Sequence, residues 1–234
     1  MSAATPDTLR DRLAEIETEH ATLRSELAAF QSDYLRLVGV VDVQVHELEA
    51  KILAVVAARS GVLDDRVAAE AAEQRFRETT TAMGAIPAPA GPPPSDDLKT
   101  LFRDAAKRMH PDLVQDEAGR AHAEAFMKRL NQAYKAGDAE GIGNLVRQWE
   151  TSPYATAAPG VGGGGVIDAS PALHAAIAHA EARLAEAHDS DLARLMEQSF
   201  QYSMEGRDLL LELRQDAEAA LGVARARFAS LNAT

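Results

Sequence analysis

The sequence predicts an all-α fold in which helical arms flank a central helical hairpin. Apolar residues recur at alternating steps of three and four in several segments of the 234 residues, which is the spacing of amphipathic helices and coiled coils. Aromatic residues make up only 5% of the chain, and this favours elongated helices over one large core. Two stretches rich in proline or glycine separate the helical segments.

The first predicted element is a long helix of the coiled-coil type over residues 1–60. Neither proline nor glycine interrupts it between its capping residues and Gly39, and only His20 is polar within the seam. The seam consists of Leu9, Leu13, Ile16, Leu23, Leu27, Phe30, Tyr34, Leu37 and Val41. Beyond Val41 it continues with two successive steps of four, which predicts a local unwinding of the supercoil.

The apolar seam must be buried against another helix, and the sequence permits two arrangements. In a parallel homodimer through the N-terminal coiled coil, Arg12 of one copy would meet Glu17 of the other, which is an attractive pair. The alternative is that the helix packs against another segment of its own chain. The sequence favours neither arrangement.

Glycine and proline residues divide the rest of the chain into segments. Ser60-Gly61 marks a break, and residues 62–83 predict a shorter helix. Residues 84–95 contain five prolines and predict a stiff, extended linker. Residues 151–170, with four consecutive glycines, predict a second linker. Residues 171–234 predict a C-terminal helical arm, bent or interrupted at residues 189–191 or else at Gly206.

Residues 96–150 predict two helices joined by a short loop, followed by a third short helix. The first apolar stripe consists of Leu98, Leu101, Phe102, Ala105, Ala106 and Met109. A residue before proline is driven out of the helical region, so this helix should end at His110. A second amphipathic helix runs over about residues 119–136, and Gly137-Asp138 stops it. Two such stripes pack as an antiparallel hairpin.

Over about residues 98–134 this hairpin resembles the J-domain of the DnaJ co-chaperone family. In that family a basic helix carries an aromatic residue eight positions before a His-Pro-Asp motif, and Phe102 precedes His110 by eight. The family's next helix ends in an apolar-Asn-x-Ala-Tyr pattern, which residues 130–134 repeat. The residues that match the J-domain core are Leu98, Phe102, Ala106, Leu130, Asn131, Ala133 and Tyr134.

Two features depart from the family. The first helix of a J-domain should precede Leu98, where the proline-rich stretch lies, so either the hairpin is shortened or residues 62–83 replace that helix. In addition, no Gly/Phe-rich segment or cysteine repeat follows the hairpin.

The resemblance implies a J-domain co-chaperone that stimulates the ATPase of a DnaK-type heat-shock chaperone and directs it to a client through the helical arms. The implied partner-binding residues are His110, Pro111, Asp112, Lys99, Arg103, Lys107 and Arg108. Asp112 would receive an arginine in bidentate fashion. The client is not encoded in any pattern. The alternative is a coiled-coil structural or adaptor protein with a J-like hairpin that does not stimulate ATPase activity.

Composition narrows the remaining function classes. A net charge of -12 argues against nucleic-acid binding and against an acidic membrane surface. The chain has no cysteine, and its histidines are scattered without metal-ligand spacing or a nucleophile motif, so we expect no enzyme activity, metal or cofactor. No apolar run reaches the length of a membrane span, and we expect a cytoplasmic protein.

Overall fold

The computed structural model describes residues 5–84, 93–114, 116–155 and 170–233. These residues form helices and no strand, which confirms the all-α prediction. The α-helices are α1 Pro6–Tyr34, α2 Val40–Ser60, α3 Leu63–Gly84, α4 Asp96–Met109, α5 Glu117–Lys135, α6 Ala139–Glu150, α7 Ser170–His188, α8 Asp191–Met204 and α9 Leu209–Asn232. Residues 85–92 and 156–169 carry most of the two predicted linkers and lie outside the described ranges.

The long N-terminal helix is confirmed, and it spans 55 residues from the start of α1 to the end of α2. A π turn, Leu35–Gly39, joins α1 to α2 at the place where the apolar seam changes its step. A Cβ atom on Gly39 would lie 3.1 Å from Sδ of Met83, so the missing side chain leaves room for the end of α3.

Glycines end helices at two of the predicted breaks. Gly61 follows α2 with a φ of 66°, and Gly206 follows α8 with a φ of 75°, both in the left-handed region. The C-terminal arm is interrupted at both of the positions offered by the sequence. The break at residues 189–191 lies before α8, where Ser190 Oγ accepts a hydrogen bond from the N–H of Ala193.

The chain divides into two compact units, each made of non-contiguous segments. The first unit comprises residues Met1–Leu27 and Gly91–Ala193. One of its core clusters contains the hairpin residues and α6, with Ala14 of α1 also buried among them. Its other cluster packs Leu9, Leu13 and Ile16 of α1 against Leu173, Ala176 and Ala180 of α7. This part of the N-terminal seam is therefore covered by the chain itself.

The second unit comprises residues Ala28–Ala90 and Arg194–Thr234. In it α2 packs against both α3 and α9. Val41 and Val45 of α2 bury themselves against Leu221 of α9. The helix predicted over residues 62–83 thus packs on α2.

None of the described helices is both long and apolar enough to cross a bilayer.

Candidate functional site

The His-Pro-Asp motif lies in the turn between α4 and α5. His110 ends α4 with φ −67° and ψ 131°, the extended backbone expected before a proline. Pro111–Leu113 then forms one 3₁₀ turn, closed by a 3.1 Å hydrogen bond from the N–H of Val114 to the carbonyl of Pro111. Asp116 caps α5 by accepting a 2.7 Å hydrogen bond from the N–H of Gly119. Local chemistry therefore fixes the course of the turn.

The two helices on either side of the turn pack through the residues of the J-like pattern. The Phe102 and Tyr134 rings lie 4.6 Å apart between centroids, and both side chains are almost fully buried. Leu98, Ala106 and Leu130 are buried in the same cluster. Ala133 is half-buried, whereas Asn131 is exposed.

His110 is buried, with 6% of its surface exposed. Its Nδ1 accepts a 3.2 Å hydrogen bond from the N–H of Asp112, so a neutral ring carries its proton on Nε2. That nitrogen lies 3.3 Å from Oε1 of Glu17, a buried residue of α1. The ring is thus held at both nitrogens.

Glu17 is also paired with Arg183 of α7, whose Nη2 contacts the same carboxylate oxygen. Burial alone would raise the pKa of Glu17. The hydrogen bond from His110 and the positive charge of Arg183 more than offset it, so the pKa of this carboxyl lies below its ordinary value of 4.5. Glu17 therefore stays ionised at neutral pH.

Asp112 faces solvent beside this buried cluster. Its side chain is 41% exposed, and its Oδ2 lies 3.8 Å from Nδ1 of His110. Pro111 is half-buried between the two. A carboxylate on a turn of fixed backbone can accept two parallel hydrogen bonds from an arginine of another protein.

The four basic residues of α4 lie close to acidic residues of the same chain. Lys107 is paired with Asp11 of α1, and Arg108 donates a 2.6 Å hydrogen bond to Glu150 of α6. Lys99 lies 3.5 Å from a carboxylate oxygen of Asp96. All three basic side chains are between 38% and 52% exposed, so these pairs are solvated and easily exchanged.

The fourth basic residue, Arg103, lines an open groove of about 480 Å³ between α1 and α4. Lys99 shares this groove, and His188 of α7 also lines it. The α1 side contributes three carboxylates, those of Glu15, Glu19 and Glu26. The basic face predicted from α4 therefore lies opposite an acidic face of α1.

Sequence reasoning missed the part of α1 that packs against the hairpin. Neither alternative for the first J-domain helix included residues 1–27. Tyr134 shares a 2.7 Å hydrogen bond between hydroxyls with Thr22, and Ala14 belongs to the hairpin core. The available signal was a second stripe of small residues on this helix, Ala14, Thr18, Ala21 and Thr22, which permits close helix packing.

Glu17 and Arg183 gave no signal of this kind. In the parallel homodimer that the sequence leaves open, Glu17 would pair with Arg12 of the other copy. Its partners are instead 93 and 166 residues away along the same chain.

Comparison with protein-family models, with curated proteins and with solved structures found no match to this chain.

Proposed function

We propose that this protein is a J-like co-chaperone that stimulates ATP hydrolysis by a DnaK-type heat-shock chaperone. The observation that carries the proposal is the exposed carboxylate of Asp112 on a turn of fixed backbone, at the end of a basic helix. The remaining His-Pro-Asp residues lie behind it and support the turn. The hairpin hydrolyses nothing itself in this mechanism.

The distribution of charge would attract the partner chaperone to the hairpin. The chain carries a net charge of -12, but α4 carries Lys99, Arg103, Lys107 and Arg108 along its length, the last two in the turn before His110. An acidic surface of a partner would exchange with the solvated carboxylates paired to this helix and so be steered toward the hairpin. Asp112 would then pair with an arginine of that partner in the water-poor centre of the contact. The helical arms would direct the chaperone to a client, and we place this activity in the cytoplasm.

The test is single-turnover ATP hydrolysis by the DnaK-type chaperone of the host organism, with and without the full chain. We expect stimulation by the unmodified protein and a loss of about tenfold or more for Asp112→Asn, the size expected for a lost charge-assisted contact. The matched control is Asp104→Asn, which removes an exposed carboxylate of α4 away from the turn and should leave stimulation unchanged. Equal stimulation by all three proteins would refute the role of Asp112.

His110 is a poorer first target, because its ring contacts Glu17 in the interior and a substitution would also disturb packing. Retained fluorescence of Trp149, the single tryptophan, shows for each variant that the hairpin core is intact.

A second function is favoured by a different observation. His110 is buried, and Lys107 and Arg108 are already paired within the chain, an arrangement suited to a structural adaptor whose hairpin serves as packing. This candidate predicts no stimulation by the unmodified protein. The same ATPase measurement therefore separates the two functions.

A further inference from the structure

The buried contact among His110, Glu17 and Arg183 joins three distant parts of the chain. The three residues belong to the end of α4, to α1 and to α7. Only 5% of Glu17 and 6% of His110 are exposed, so an ionised carboxylate is kept inside the first unit. Taking a charge out of water is unfavourable until its partners compensate it, and a buried ion pair contributes little net stability. The arrangement calls for an explanation other than stability.

The two hydrogen bonds of the His110 ring indicate that Glu17 fixes its orientation. Because Nδ1 accepts the N–H of Asp112, only Nε2 of a neutral His110 can donate, and Oε1 of Glu17 lies 3.3 Å from it. A rotation of the ring would break both bonds together. The carboxylate therefore fixes the ring in the orientation that supports the backbone of Asp112.

Arg183 in turn fixes the carboxylate. Its Nη2 contacts the oxygen that accepts from His110, while its buried Nε has no hydrogen-bond partner among the described residues. The helix that carries it, α7, is anchored on α1 by Leu173, Ala176 and Ala180. The position of Arg183 thus depends on apolar packing outside the hairpin.

We infer that Glu17 and Arg183 are positioning residues for the His110-Pro111-Asp112 turn, acting through the ring of His110. The inference rests on the proposed function for its consequence, since a fixed turn presents the carboxylate of Asp112 to the partner in one geometry. Neither residue contacts the partner. The site of this J-like hairpin is then completed by residues of α1 and α7.

The first test needs no chaperone. Nitrogen-15 NMR of the full chain measures the protonation pattern of the His110 ring and the exchange of its Nε2 proton with water. We expect one Nε2–H form with a protected proton in the unmodified protein. In Glu17→Leu, which removes the acceptor, exchange should be faster by about tenfold or more, as for a lost hydrogen bond to a charged group.

Two further variants separate positioning from simple packing. Glu17→Gln keeps an oxygen that can accept from Nε2 but loses the charge, and it should retain most of the proton protection. Glu181→Gln is the matched control, because it removes the exposed 3.4 Å ion pair with Arg12 between α1 and α7 without touching His110. This control should behave as the unmodified protein. A purely structural role for the charge pair predicts that Glu17→Gln and Glu17→Leu lose protection equally.

ATPase stimulation is the second readout, with Trp149 fluorescence as the check on folding. We expect stimulation to fall in the order unmodified and Glu181→Gln, then Glu17→Gln, then Glu17→Leu. An undisturbed His110 proton in Glu17→Leu overturns the inference. If the unmodified chain does not stimulate at all, the proposed function fails, and the NMR result alone decides whether Glu17 positions the ring.

Discussion

The two compact units share the long N-terminal helix but are stabilised by different kinds of core. The first unit buries four aromatic rings, those of Phe102, Phe126, Tyr134 and Trp149, together with the polar pair Glu17 and His110. The second unit buries mainly valine, leucine and alanine. Of the ten large apolar side chains that remain exposed in the described residues, all but Leu101 belong to the second unit.

The two kinds of core differ in how strictly they determine the packing of their helices. Interlocked rings and a satisfied buried charge accept few alternative packings, since a shift leaves a void or an unpaired polar group. Small aliphatic side chains on Ala-rich helices tolerate such shifts at lower cost. The first unit, which holds the candidate site, should therefore respond much more strongly to small changes than the second.

We expect the largest difference in the free energy of unfolding between alanine substitutions at two phenylalanines, one in each unit. Phe102 of the first unit is fully buried, so Phe102→Ala should lower the free energy of unfolding by about 3–5 kcal/mol. Phe200 of the second unit is 60% exposed, and Phe200→Ala should change it by no more than about 0.5 kcal/mol. Urea unfolding followed by far-UV circular dichroism measures both. Similar losses in the two variants would remove the contrast.

A pair of glycines should give effects of opposite sign. A Cβ on Gly119 would lie 2.5 Å from Cγ1 of Val114 and 2.9 Å from Cδ1 of Tyr154, so Gly119→Ala should cost about 1–3 kcal/mol. Gly222, within α9, has nothing within 4 Å of that position. Gly222→Ala should therefore stabilise its helix by about 0.5–1 kcal/mol. Thermal unfolding of the two variants measures the difference, and a gain for Gly119→Ala would contradict the close packing.

Acid should weaken the first unit before the rest of the chain. Burial and the charge of Arg183 lower the pKa of His20 below 6.5, and the contacts described above hold the pKa of Glu17 below 4.5. A depressed pKa in the folded state gives stability that is present above the unfolded value and is lost as the pH falls. Stability should decline below pH 6.5 through His20 and again below pH 4.5 through Glu17.

Trp149 is the measure of this decline, because its fluorescence reports on the core of the first unit alone. In the second unit, burial and then the charge of Asp42 raise the pKa of Tyr34 to about 12, so the corresponding loss there occurs in alkali above pH 10. If acid lowers the helicity of the whole chain before the fluorescence of Trp149 changes, the second unit is the more acid-sensitive of the two, contrary to this prediction.

Features determined by neighbouring residues could be predicted from the sequence. Ser95 accepts a 3.2 Å hydrogen bond from the N–H of Leu98 and caps α4, and a serine directly before an amphipathic stripe is a local signal of a helix start. The extended backbone of His110 follows from Pro111, and Gly137, with a φ of 70°, ends α5 in the predicted place. Such signals act within a few residues, and they also determine the course of the His-Pro-Asp turn.

What surrounds the turn could not be predicted. In the sequence Glu17 is a charged residue beside a heptad seam, and Arg183 is the single arginine of the alanine-rich helix α7. Their contact with His110 depends on which face α1 and α7 turn toward the hairpin. That choice is made by apolar packing across more than a hundred residues, which periodicity within one segment does not encode.

The long N-terminal helix has a consequence for the synthesis of the protein. Glu17 leaves the ribosome 166 residues before Arg183, and Gln44 leaves it 181 residues before Arg225, with which it shares a 3.2 Å hydrogen bond. At about 5–20 residues per second, both helices wait on the order of ten seconds or more for their partners. During this interval the side chains of α1 and α2 that later pack on α7 and α9 lie open to water, whereas α3 emerges soon enough to cover another face of α2. Correct burial of this helix therefore depends on segments that are synthesised long after it.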